Sequence, residues 1–251
     1  MRQRICAGNW KMFKTSSEAV DYVERFAQLV PSIPQSVEIV ICPPFTAIDA
    51  VSKALRRIAG DGARIKLGAQ NMHWELSGPF TGEISAPMLT ELGVRYVILG
   101  HSERRQYFGE TDEYVRLKTA TALASGLTPI VAVGESLEVR REGKQETFVV
   151  AQIRAALDGL SDADIEKVVV AYEPIWAIGT GQNCDPSAAN AVMHAIRASV
   201  PALKDVPILY GGSVKPDNIA PYCTQPDIDG GLVGGASLDP EAFAQLAKAA
   251  A

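Results

Sequence analysis

Residues 168–181 read Val168-Val169-Val170-Ala171-Tyr172-Glu173-Pro174-Ile175-Trp176-Ala177-Ile178-Gly179-Thr180-Gly181. Five apolar residues without alternation fit a strand buried on both faces, as in a parallel sheet covered by helices. Similar short runs recur at Arg4–Gly8, Val37–Cys42, Ile65–Ala69, Tyr96–Gly100, Pro129–Val133, Val168–Tyr172, Ile208–Tyr210 and Gly231–Val233. Amphipathic segments separate them. From Glu18 to Val30, residues Ala19, Val20, Val23, Phe26, Ala27 and Val30 fall on one helical face, ahead of Pro31. Thr15-Ser16-Ser17-Glu18 has the spacing of a capping box. Asp185-Pro186 opens another helix, with Ala189, Val192, Met193, Ile196 and Val200 on its inner stripe and His194 off it. Eight strand–helix units predict a (β/α)8 barrel. A doubly wound open sheet is the alternative, but no G-x-G-x-x-G follows the first strand. No linker or composition shift divides the chain, so one domain over residues 1–251 is expected.

Composition agrees with a globular chain. It is 47% hydrophobic and 21% charged, enough to bury a sizeable core. A formal charge of −5 argues against a nucleic-acid or anionic-membrane footprint. The first apolar stretch, Ile5-Cys6-Ala7, is too short for a signal-peptide core, and no 18-residue apolar run follows. No membrane association is therefore expected, and the cytoplasm is the expected location. Cys6, Cys42, Cys184 and Cys223 stand apart without C-x-x-C spacing, and His73, His101 and His194 show no metal-ligand spacing. Neither a disulfide framework nor a metal site is expected.

Barrels of this kind place their chemistry beyond the C-terminal ends of the strands. Glu173 follows an apolar strand, where an acid is costly to bury unless paired or used. An isolated acid there could be an ion-pair partner. Behind it, however, Pro174, Gly179 and Gly181 bound the apolar body Ile175-Trp176-Ala177-Ile178, a segment that can close over a ligand. Gly211-Gly212 and Gly234-Gly235 follow the last two strands, where unshielded backbone N–H groups with Ser213 suit a phosphate; either pair could also be a tight turn. Lys11, in Gly8-Asn9-Trp10-Lys11, could be a Schiff-base nucleophile, a point charge for an anion, or a surface lysine. His101, ahead of Ser102-Glu103-Arg104, reads as a helix start whose positive end disfavours imidazolium; a core histidine is the other reading.

Taken together, Gly8-Asn9-Trp10-Lys11, Ala69-Gln70-Asn71, Phe80 to Ser85, Gly100 to Arg105, Ala171 to Gly181, Tyr210 to Val214 and Gly230 to Leu238 resemble the signatures of the triosephosphate isomerase family. The resemblance covers essentially the whole chain. It implies the TIM barrel fold and interconversion of dihydroxyacetone phosphate and D-glyceraldehyde 3-phosphate, a step of glycolysis and gluconeogenesis, through an enediol or enediolate and without a cofactor. It further implies Glu173 as the base, neutral His101 as the electrophile and Lys11 as positive charge beside phosphate and enediolate. Asn9 would orient the site, Glu103 would support it, and Gly179, Ser213, Gly234 and Gly235 would hold the phosphate. Family members pair as homodimers; here the loop Gln70 to Glu83 would enter the partner, led by Thr81, with His73 and Trp74 packing at the interface. Ala132, where cysteine is common, and Pro79, where alanine is common, depart from the pattern without touching a reacting group. A Schiff-base aldolase acting through Lys11, or a sugar-phosphate binder without catalysis, are the competing functions.

Overall fold

Alternate strand residues enter two different cores. The computed structural model describes residues 2–59, 64–180 and 182–251; Gly181, the expected far end of the lid, lies outside them. Eight parallel strands, β1 (Arg4–Asn9), β2 (Val37–Cys42), β3 (Ile65–Ala69), β4 (Tyr96–Leu99), β5 (Thr128–Val133), β6 (Val169–Tyr172), β7 (Ile208–Tyr210) and β8 (Gly230–Val233), pair in sequence order. β1 also pairs with β8, which closes the barrel. Ile5, Ala7, Val40, Cys42, Ile98, Ile130, Ala132, Val169, Ala171, Leu209 and Leu232 form a core of strand residues alone, the barrel interior. Their neighbours, such as Cys6, Ile39, Ile41, Val131, Val170 and Ile208, pack outward in the larger core that the helices complete. That division follows from the two-residue period of a strand. Gly68 on β3 makes room inside: a Cβ there would lie 2.4 Å from the Cys42 sulfur.

The outer layer comprises α1 (Ser16–Leu29), α2 (Phe45–Ala59), α3 (Ala86–Glu91), α4 (Ser102–Phe108), α5 (Asp112–Ala124), α6 (Leu137–Arg141), α7 (Gln145–Leu157), α8 (Asp162–Ile165), α9 (Pro186–Ser199), α10 (Ile219–Cys223) and α11 (Pro240–Ala249). Thr15 caps α1 in the expected capping box, its side chain accepting from the Glu18 N–H while the Glu18 carboxylate accepts from the Thr15 N–H. The buried stripe of α1 also includes Tyr22. Two helix ends come earlier than the periodicity predicts. Val30 leaves α1 for a single 3-10 turn with Pro31. Val200 lies beyond α9 with extended backbone, φ −137° and ψ 123°, because Pro201 disfavours helical dihedrals in the residue before it.

All four cysteines are free and buried. Burial raises every one of their thiol pKa values, Cys223 to about 11, so little thiolate forms near neutrality. His194 is exposed and pairs with Asp227 at 2.9 Å, away from the strand ends discussed below.

Candidate active site

The C-terminal strand ends meet around a cavity of about 620 Å³. It is lined by Asn9 and Lys11 after β1, His101 after β4, Glu173 after β6, Gly211 to Lys215 after β7 and Gly234 to Ala236 after β8, with Ile178 and Gly179 of the lid. Every expected site residue is therefore brought to one pocket.

Glu173 is almost completely buried. Its Oε1 lies 3.0 Å from His101 Nε2, and its Oε2 accepts a hydrogen bond of 2.9 Å from the Ser102 N–H. Burial alone would push this carboxyl up; the His101 ring, the Ser102 N–H and the Lys11 charge outweigh it and hold the pKa below the ordinary carboxylate value. The backbone around Glu173 is crowded by design of the sequence, with glycine on both neighbouring strand ends. A Cβ on Gly134 would lie 1.8 Å from the Glu173 carbonyl oxygen, and one on Gly211 would lie 2.9 Å from its Cγ. Gly134→Ala is expected to cost about 1–3 kcal/mol by overpacking. In a chain of this size that lowers the melting temperature by roughly 2–12 °C, and a thermal unfolding scan measures it.

His101 caps α4, and its Nδ1 accepts from the Glu103 N–H at 3.2 Å. Two influences on the ring disagree. Burial disfavours imidazolium, but the Glu173 and Glu103 carboxylates outweigh it and raise the His101 pKa. The hydrogen bond points the other way: a proton on Nδ1 would face the Glu103 N–H, at a helix end that already repels positive charge. We assign the neutral ring with its proton on Nε2, because this form satisfies both nitrogens, with Glu173 accepting from Nε2. Neighbouring groups fix the corner. Arg105 Nε donates to the Gly100 carbonyl at 2.7 Å, and the buried Glu110 accepts from the Gly100 N–H at 3.2 Å while pairing with Lys118.

Lys11 adopts the left-handed conformation, φ 52°, which costs a residue with a Cβ roughly 1–2 kcal/mol. The surroundings hold it there. Asn9 Oδ1 accepts from the Lys11 N–H at 3.0 Å, and Gln70 Nε2 donates to the carbonyls of Lys11 and Cys42 at 2.8 and 2.9 Å. The ammonium so directed reaches Glu103 Oε1 at 2.5 Å and lies near Gly234. Asn9 thus acts through its own turn, and Gln70, at the start of the loop after β3, braces it.

The glycine pairs differ in kind. Gly211 and Gly212 are required by the chain's own packing, since a Cβ on Gly212 would come 2.2 Å from the Tyr210 hydroxyl oxygen. A Cβ on Gly235 would meet nothing within 4 Å. No protein atom demands glycine there, so the open space belongs to whatever occupies the pocket. Gly179 is likewise open but takes φ +69°, a conformation that favours glycine. Ser213 Oγ donates to the Ala177 carbonyl at 2.6 Å, tying the lid to the β7 loop; a bound phosphate would compete for that proton.

Glu135, at the end of β5, is a further residue of the site. It is fully buried, and its Oε1 accepts from the Tyr172 hydroxyl at 3.0 Å and from lid Trp176 Nε1 at 2.9 Å. Burial raises its carboxyl pKa. The strand-end rule that marked Glu173 also marks Glu135, but only the fold shows which acid faces the pocket and which holds the lid.

The family model described as triosephosphate isomerase matches residues 4–250. The chain belongs to the triosephosphate isomerase family. It is 52% identical over 246 residues to a triosephosphate isomerase of Nostoc punctiforme, covering 98% of each chain. It is 54% identical to that of Gloeothece citriformis, again over 98% of each, and 54% identical to that of Caldanaerobacter subterraneus subsp. tengcongensis, over 98% of this chain and 99% of the relative. The (β/α)8 barrel is the architecture that both the eight strand–helix units and the family resemblance lead one to expect.

Proposed function

We propose that the pocket moves a proton between adjacent carbons of a triose phosphate, with Glu173 as the base and His101 as the electrophile. The chain is an isomerase of dihydroxyacetone phosphate and D-glyceraldehyde 3-phosphate. The observation that carries the mechanism is a buried carboxylate, kept ionised, against the Nε2 of an imidazole whose other nitrogen is held by a helix N–H.

Glu173 takes a proton from C1 of dihydroxyacetone phosphate, and the C–H electron pair becomes the C1–C2 double bond as the carbonyl π electrons move to O2. The developing negative charge on O2 is met by the Nε2–H of His101 and by Lys11. A proton passes from O1 to O2, the O1 carbonyl forms, and Glu173 returns its proton to C2. A neutral donor suits this task because its acidity approaches that of an enediol, a pairing for which this family is itself the standard illustration. Gly179, Gly234 and Gly235 offer backbone N–H groups to the phosphate, with Ser213 and Lys11 beside them. Lid closure excludes water and restrains elimination of phosphate from the enediolate.

The chain acts as one domain. It resides in the cytoplasm; no helix among the described residues is long and apolar enough to cross a membrane. It pairs as a homodimer through Gln70 to Glu83, in which Thr81 at the exposed tip enters the partner. Exposed apolar side chains support that pairing, with Met12 95% and Phe13 56% exposed and Leu76, Phe80 and Met88 on and beside the loop. His73 stacks on Trp74 and lies close to Phe80, which stiffens the loop from within.

A coupled assay with purified protein tests the reaction, and borohydride reduction in the presence of dihydroxyacetone phosphate tests the competing one. We expect rapid interconversion and no covalent adduct. A reduced adduct on Lys11 would replace proton transfer by Schiff-base chemistry.

A further inference from the structure

The net charge of the chain is −5, so an anionic substrate must be attracted locally. Two lysines line the pocket, Lys11 and Lys215. Lys11 is paired with Glu103 at 2.5 Å, which cancels most of its field at a distance. Lys215 is exposed, and among the described residues its ammonium has no carboxylate partner. Asp239 also lines the pocket; its carboxylate caps α11, accepting from the Ala242 N–H at 2.8 Å, and forms no ion pair with Lys215. The backbone that carries Lys215 is fixed: its N–H donates to Asn218 Oδ1 at 2.8 Å, and Asn218 Nδ2 donates to the Ser213 carbonyl at 3.1 Å. A cation with no ion-pair partner among the described residues is thus held in the pocket lining, two residues from Ser213.

We propose that Lys215 captures the phosphate group of the incoming substrate, a steering and specificity residue outside the reacting set. The inference rests on the phosphate reading of this pocket. A charge at a rim acts mainly on association, and its influence falls with ionic strength. Paired Lys11 serves the bound anion at short range; Lys215 serves the approaching one at long range.

The test measures inorganic phosphate binding by titration calorimetry to the wild type, Lys215→Gln and Lys215→Arg. It is run at ionic strengths of about 0.01 M and about 1 M, where the screening length is roughly 30 and 3 Å. At low salt Lys215→Gln is expected to bind phosphate about 3–10-fold more weakly, with Lys215→Arg near the wild type, and at high salt the three should converge. In the isomerase assay the same variant should raise KM at low salt with kcat held within about two-fold, a split that marks lost attraction rather than lost chemistry. Equal phosphate affinity of wild type and Lys215→Gln at low salt would overturn the proposal. A deficit that persists undiminished at high salt would overturn it too, since that marks a short-range contact. If the wild type itself fails to bind phosphate, the phosphate reading of the pocket falls, and the role of Lys215 with it.

Discussion

Glu173→Gln should lower turnover by at least about 10²–10⁴-fold, the range for a lost general base, while the barrel remains folded. Glutamine keeps the shape but cannot take a proton from carbon. It also has one acceptor oxygen where the carboxylate has two. The Ser102 N–H at 2.9 Å and the His101 Nε2 at 3.0 Å must then compete for it, and the amide NH2 faces whichever donor loses. A stability loss of about 1–3 kcal/mol accompanies that unsatisfied group. Coupled assays read the first effect and thermal scans the second. Inorganic phosphate should bind nearly as in the wild type, because Gly234 and Gly235 are untouched. Turnover within a few-fold of the wild type would remove Glu173 from the reaction.

His101→Gln should lower kcat by about 10²–10³-fold, the loss expected when one donor to a developing oxyanion is removed, with a much smaller change in KM. The Nε2–H bond strengthens as charge gathers on the substrate oxygen, so it contributes more in the transition state than in the bound ground state. Glutamine retains an N–H but not the ring that holds it at this place. The substitution also removes the acceptor of the Glu103 N–H at the start of α4. A lost cap costs roughly 1 kcal/mol, a melting shift of about 2–4 °C, which unfolding scans separate from the kinetic effect. Equal losses in binding and turnover would contradict the electrophile's role.

The barrel was legible because its signals are local. Apolar runs marked each strand to within one residue at either end, and Thr15 and Asp185 announced their helices through side-chain oxygens a few positions from the N–H groups they satisfy. The early stop at Val200 was legible too, in Pro201, but helical periodicity alone carried the stripe one residue too far. The site's membership was readable from strand ends, whereas its internal division was not. Nothing local tells Gly212, excluded from bearing a Cβ by the Tyr210 hydroxyl, from Gly235, which faces open space. Nor does sequence show that Ser213 holds the lid through Ala177, that Glu135 receives Trp176, or that Gln70 braces Lys11. These contacts join residues 36, 41 and 59 positions apart, and only closure of the barrel sets them side by side. The unusual φ of Lys11 has the same origin, since no rule of composition puts a lysine in the left-handed region.

In this mechanism the species that moves is a proton, carried between the two carbons by Glu173. Isomerisation of dihydroxyacetone phosphate in deuterated water, followed by NMR, tests it most directly. Deuterium is expected at C2 of the aldehyde product with the wild type, because a proton resting on a carboxylate can exchange with solvent, and that labelled product should be lost with Glu173→Gln. Labelled product formed by Glu173→Gln at close to the wild-type rate would show that another group carries the proton.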